Sequence, residues 1–85
     1  MTVFLWIVRY AGDEWCCFVV ARSRGRAKAL FHDYWREGEY TEVRCRKEKA
    51  APETEEGVYD VDCPALEALG VRYLSEAELN YLEVF

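Results

Sequence analysis

Histidine and long apolar segments are scarce in this sequence, and their scarcity argues against two classes of protein. The chain has one histidine, His32, and no Cys-x-x-Cys pair, so a tetrahedral zinc site would have to be assembled from scattered thiols. The N-terminal apolar run covers only Val3 to Val8 and follows no lysine or arginine. That run is too short for a membrane span and lacks the features of a signal peptide. We therefore expect no structural metal, no cofactor and no membrane partner.

The cysteines are the next feature that limits function. Cys16 and Cys17 are adjacent on a predicted strand, so their side chains point to opposite faces and do not chelate one ion together. Without an export signal, we expect free thiols and a cytoplasmic location. A histidine and a thiol are the residue types of a nucleophilic site, but no glycine-rich elbow accompanies His32, which is expected at the helix surface. The sequence therefore predicts a protein that is not an enzyme.

Length and composition indicate one folded domain with an uneven distribution of charge. The chain of 85 residues has room for a single domain, residues 1–85, and its content of 52% hydrophobic and 15% aromatic residues is typical of a globular protein. The net charge of −5 conceals a division: residues 1–50 hold ten Lys and Arg against seven Asp and Glu, whereas residues 51–85 hold one against nine. A basic half is thus joined to an acidic half.

Three segments predict strands of one small sheet. Val3 to Tyr10 and Trp15 to Arg22 are rich in β-branched and aromatic residues, and a Gly-containing turn between them predicts a hairpin. Tyr40 to Lys47 alternates apolar and charged residues, as does a strand with one solvated side. Pairing the third strand beside the first gives a three-stranded antiparallel sheet in the order 2-1-3. The predicted fold class is α+β, with a β-β-α-β order.

One helix is predicted on a face of this sheet, between the second and third strands. Ser23 is expected to cap it, and the helix should run from Arg24 to Glu37 and stop at Gly38, which tolerates a left-handed conformation. Its apolar residues fall on one stripe. They are Ala27, Leu30, Phe31, Tyr34 and Trp35.

The C-terminal segment predicts a loop and short helices. Ala51 to Gly57 has the composition of a solvated loop. Pro64 at a first helical position predicts a short helix that ends at Gly70. Glu76 to about Glu83 is predicted to be a last helix, because Ser75-Glu76-Ala77-Glu78 has the spacing of a capping box.

The preferred functional hypothesis is a protein-interaction module that acts through an acidic C-terminal surface. Interfaces favour aromatic anchors, and the field of a chain at −5 steers it toward a basic partner protein. The candidate protein-binding residues are Tyr73, Glu76, Glu78, Tyr81, Glu83 and Phe85. The β-β-α-β order, the short C-terminal helices and the compact acidic chain resemble, in style and size only, the small accessory proteins of bacterial mobile elements. The interaction module is expected to be a small regulator or inhibitor.

The alternative hypothesis is a nucleic-acid-binding module that uses the basic third strand. Its candidate phosphate-binding residues are Arg44, Arg46, Lys47 and Lys49. An isoelectric point near 4.8 argues against this alternative, because affinity for nucleic acid comes largely from counterion release at phosphates. We expect Arg44 and Arg46 to face carboxylates of the C-terminal segment instead.

Self-association is a further expectation. The strand from Trp15 to Val20 would be an edge of the three-stranded sheet, and it is apolar on both faces. An exposed edge of this kind pairs with another strand unless part of the chain covers it. A homodimer through this strand is therefore predicted if the C-terminal segment leaves it open.

Overall fold

A computed structural model describes residues 2–12, 16–59, 66 and 68–70. Its strands pair antiparallel in one sheet of order β3-β1-β2-β4, with helix α1 on one face. The predicted α+β class and the antiparallel sheet are confirmed. The elements are β1 (Phe4–Tyr10), β2 (Cys17–Ala21), α1 (Arg24–Trp35), β3 (Val43–Ala50) and β4 (Gly57–Tyr59).

The sheet has four strands, and the prediction of three strands in the order 2-1-3 is wrong. β1 does lie between β2 and β3, but β4 pairs with β2 from Phe18↔Tyr59 to Val20↔Gly57. β2 is therefore not an edge strand, and the edge on which a homodimer was predicted is occupied along these residues. A three-residue strand carries too little alternation to be detected, and three glutamates in the preceding segment 51–56 favoured a loop.

The third strand begins later than its alternating pattern predicts. Tyr40–Glu42 forms a 3₁₀ turn, and β3 follows as Val43–Ala50. The turn is stabilised by a reciprocal capping box, in which the carboxylates of Glu39 and Glu42 each accept from the other residue's backbone N–H. The strand also ends later than predicted, at Ala50 instead of Lys47.

Helix α1 confirms the predicted start but not the predicted stop. The Ser23 hydroxyl accepts a hydrogen bond from the Arg26 amide at 3.2 Å, as an N-cap does. The helix ends at Trp35, and Arg36 takes the left-handed conformation with φ 50°. Gly38 has another role: a Cβ there would lie 2.9 Å from the Tyr10 ring, so only glycine allows this approach. No helix in the described part of the chain is long and apolar enough to cross a membrane.

The sheet is covered on both faces, which explains why β1 is apolar at both parities. On the helix face, Trp6, Val8 and Tyr10 pack with Ala27 and Phe31 of α1. Leu66, which is 1% exposed, belongs to the cluster on the other face, called here the second face. The residues of that cluster are Val3, Leu5, Ile7, Cys16, Phe18, Val20, Ala51 and Leu66.

Part of the predicted short helix before Gly70 is described. Leu66 and Ala68 have helical backbone, and Gly70 has φ 79°, the left-handed conformation that commonly ends a helix. The predicted last helix, Glu76 to Glu83, lies outside the described residues.

Candidate interaction surfaces

The predicted acidic surface lies outside the described residues. All six of its candidate residues belong to the segment 71–85. They are Tyr73, Glu76, Glu78, Tyr81, Glu83 and Phe85. This surface stays a prediction, and the surfaces described below are formed by residues 2–59.

The predicted phosphate-binding residues divide between the two faces of the sheet. In the register of β1 and β3, Arg44 and Arg46 pair with Arg9 and Ile7, which lie at the parity of the second face. Lys47 instead pairs with Trp6, on the helix face. Beyond Lys47, the register shifts so that Lys49 pairs with Leu5, on the second face, and Glu48 has no partner in β1. These cations therefore share an outer strand of the sheet but not one face.

Two aromatic rings of β1 hold two cations on the helix face. The Lys47 Nζ lies 4.3 Å from the Phe4 ring centroid, and the Arg24 Cζ lies 5.4 Å from the Trp6 centroid. The two rings pack edge to face at 6.5 Å. Cation–π contacts of this geometry stabilise by about 0.5 to 1 kcal/mol each where they are exposed. Sequence reasoning missed Phe4 and Trp6, although their i, i+2 spacing on a strand already placed both rings on one face.

Two arginines bind backbone carbonyls of β3 and of the turn that precedes it. Arg24 Nη1 donates to the Cys45 carbonyl at 2.6 Å, and Arg44 Nη1 donates to the carbonyls of Thr41 at 2.9 Å and Val43 at 3.3 Å. In an antiparallel pair, alternate residues of an outer strand point their polar groups away from the partner. Val43 and Cys45 have this alternate spacing, so their carbonyls face away from β1. The guanidinium groups of Arg44 and Arg24 therefore satisfy carbonyls on the outer side of β3 in the described sheet.

Among the described residues, the carboxylates of Glu48 and Glu56 pair with nearby arginines. Arg46 Nη2 lies 2.7 Å from the Glu48 carboxylate within the same strand. Glu56, which directly precedes β4, accepts from the Arg22 amide at 2.9 Å and lies 3.8 Å from Arg26 Nε. Within the part of the chain that the structure describes, Arg44 donates to backbone carbonyls, those of Thr41 and Val43. The expected pairing of Arg44 with a C-terminal carboxylate is therefore not found among residues 53–59.

The C-terminal end of α1 exposes large aromatic side chains. Tyr34 is 60% exposed, Trp35 39% and Tyr40, in the following turn, 45%. Trp35 packs edge to face with Tyr34, at 5.2 Å between centroids, and its Nε1 donates to Cys17 Sγ at 3.0 Å. The predicted apolar stripe is therefore buried fully only at Ala27 and Phe31. Its last turn lies beside the first residue of β2 and forms a surface.

A groove of about 630 Å³ lies beside Tyr40. Its lining includes Arg26, Leu30, His32, Asp33, Arg36 and Tyr40. The sequence predicts His32 at the solvated helix surface, but it is half-buried. Its Nδ1 lies 2.9 Å from the Tyr10 hydroxyl, and its ring packs against the Tyr40 ring. Arg36 binds Asp33 at 2.8 Å across one turn. The groove thus combines aromatic, basic and apolar groups.

Three thiols are described, those of Cys16, Cys17 and Cys45, and none of the three forms a disulfide. Burial raises the pKa of the Cys16 thiol, although Arg9 and Arg46 act in the opposite direction. Burial also raises the pKa of the Cys45 thiol, against the effect of Arg24 and Lys28. Within the described ranges, no group of three His, Cys, Asp or Glu side chains is placed to hold a metal ion. Cys63 lies outside those ranges.

Comparison with known proteins finds no matching family model, no matching curated protein and no matching solved structure. A function for this chain therefore has to be argued from its own residues.

Proposed function

We propose that this chain is a non-enzymatic protein-interaction module, a small regulator or inhibitor that binds a partner protein. The observation that carries the proposal is the exposure of Tyr34, Trp35 and Tyr40 at one end of α1. Tryptophan, tyrosine and arginine are the residues most enriched at the energetic centres of protein interfaces. Arg36, whose side chain is 73% exposed, follows Trp35 directly.

The groove beside Tyr40 supports the same proposal. Leu30 offers an apolar contact, while Arg26 and Asp33 offer charged groups of both signs. An interface of this kind has an apolar centre and a polar rim. The rings of Tyr34 and Trp35 already hold each other in a fixed arrangement, so little side-chain entropy is lost when a partner binds.

The acidic C-terminal half supports a partner of basic charge. The long-range field of a protein at −5 raises the rate of encounter with a positively charged surface. Glu76, Glu78 and Glu83 are the residues proposed to supply this contribution. They would act on the rate of association, whereas the aromatic residues would determine the rate of dissociation.

The experiment is photo-crosslinking followed by affinity measurement. A photoreactive amino acid at position 34 captures the partner in cells, and mass spectrometry identifies it. The affinity of the purified partner is then measured for Tyr34→Ser with Tyr40→Ser, which we expect to weaken binding by about tenfold or more. Glu37→Ser is the matched control, since this exposed residue adjoins the same helix end, and it should change the affinity less than twofold.

A charge-reversal variant tests the acidic contribution separately. Glu76→Lys, Glu78→Lys and Glu83→Lys together should slow association without changing dissociation. An affinity that is lost with the glutamates but unchanged by the tyrosine substitutions would contradict the aromatic surface. Capture of no protein at position 34, with capture at a position in the segment 71–85, would contradict it too.

A further inference from the structure

The outer strand β3 and the start of α1 form a cluster of cations, called here the basic edge. It consists of Arg24, Lys28, Arg44, Arg46, Lys47 and Lys49. Glu48, the carboxylate within β3, is bound by Arg46. We infer that the basic edge binds the phosphate backbone of nucleic acid without reading its bases. This site is distinct from the aromatic end of α1 and does not depend on the function proposed there.

Arg24, Arg44 and Lys47 of the basic edge are held in place before any ligand arrives. Trp6 lies under the guanidinium of Arg24 and Phe4 under the ammonium of Lys47. Groups that are ordered in advance lose less entropy on binding. The hydrogen bonds that Arg24 and Arg44 make to described residues all use Nη1, and a guanidinium carries five N–H donors. Donors of both arginines are therefore left to point at phosphate oxygens.

A phosphate backbone fits the basic edge better than an added peptide strand does. A peptide strand that paired with β3 would have to donate its backbone N–H groups to the outward carbonyls of β3. The carbonyls of Val43 and Cys45 already accept hydrogen bonds from Arg44 and Arg24. A second copy of this chain, paired through β3, would bring like charges together. Phosphate needs only the cations, which lie on both sides of the strand and are exposed at Lys47 and Lys49.

The acidic net charge of the whole chain does not by itself prevent this contact, because the charges are unevenly distributed along the sequence and β3 lies in the basic half. Ten of the eleven Lys and Arg residues fall within residues 1–50, and β3 holds four of them. β4, preceded by Glu55 and Glu56, is the other outer strand of the described sheet. A ligand close to β3 responds to the local field, whereas the net charge acts at longer range and is screened by salt.

The test is a salt titration with labelled oligonucleotides. Fluorescence anisotropy of a 20-nucleotide oligo-dT and a 20-base-pair duplex is measured with the full chain. Four phosphate contacts on single-stranded DNA predict about a 50-fold loss of affinity between 50 mM and 200 mM salt. Lys47→Gln with Lys49→Gln removes two contacts, and the same change of salt should then cost about sevenfold. Phe4→Leu should weaken binding about twofold with an unchanged salt slope, because it loosens Lys47 and removes no charge.

The control removes the same charge elsewhere. Arg22 and Arg36 lie outside the basic edge, so the double variant Arg22→Gln with Arg36→Gln should have the salt slope of the unchanged protein. Circular dichroism verifies that each variant is folded. Equal effects of the two double variants would overturn the inference, since they would show a response to net charge alone. Absence of binding at 50 mM salt overturns it as well. Tighter binding to polyglutamate than to either oligonucleotide would assign the basic edge to an acidic protein instead.

Discussion

Arg24 connects the start of α1 to the outer strand, and its removal should destabilise the fold measurably. Its bond to the Cys45 carbonyl is short, at 2.6 Å, and a hydrogen bond from a charged donor contributes about 1.5 kcal/mol at the lower end of its range. The contact with the Trp6 ring adds about 0.5 kcal/mol. A cation in the first helical turn opposes the helix dipole by about 0.5 kcal/mol, which offsets part of the gain. Arg24→Ala should therefore lower the free energy of unfolding by about 1.5 kcal/mol.

The assay is urea unfolding followed by circular dichroism, together with thermal melting. A loss of this size lowers the melting temperature of a domain of this length by about 6 to 12 °C. Arg36→Ala is the control, because its ion pair with Asp33 is exposed on both sides, and it should change the free energy by less than about 0.5 kcal/mol. The reasoning is refuted if Arg24→Ala melts within about 2 °C of the unchanged protein, or if both variants lose equal stability.

Three further predictions follow from single positions. Gly38→Ala should cost about 1 to 3 kcal/mol in urea unfolding, because the new Cβ meets Tyr10, whereas Gly25→Ala, in open space within α1, should be neutral or stabilising. Glu53→Gly should raise the melting temperature, since Glu53 has φ 60° and a left-handed non-glycine residue costs about 1 kcal/mol; an unchanged or lower value would contradict this. Burial raises the pKa of the Cys16 thiol, so the folded state keeps its proton at a pH where the unfolded state has lost it. The free energy of unfolding should therefore be unaffected by this thiol below the unfolded pKa of about 8.5 and fall as the pH rises from there through the folded pKa. Cys16→Ala should reduce this fall when urea unfolding is measured against pH.

The elements that local chemistry determines could be predicted from the sequence. The hairpin of β1 and β2 follows from two β-branched, aromatic segments beside a Gly-containing turn. The helix start follows from Ser23, whose hydroxyl satisfies an amide that the helix itself leaves open. The position of β1 between two strands follows from its apolar residues at both parities.

The features that depend on distant contacts could not be predicted in this way. β4 is a strand because β2 offers an open side, and no property of Gly57–Tyr59 alone shows this. Gly38 has the sequence context of a helix stop, but glycine is required there because the Tyr10 ring, remote along the chain, leaves no room for a Cβ. The register shift at Glu48 places Lys47 and Lys49 on different faces, although their i, i+2 spacing on a strand predicts one face.

The pairing of β2 with β4 of the same chain, and not with a second copy, determines both the strand order and the surfaces left for partners. The direct measurement is an isotope-filtered NOESY spectrum on a mixture of ¹³C,¹⁵N-labelled and unlabelled protein. We expect cross-strand contacts between Phe18 and Tyr59 and between Val20 and Gly57 in the intramolecular spectrum of the labelled chain. Contacts of β2 in the filtered, intermolecular spectrum instead would contradict this pairing, because a homodimer would then occupy that side.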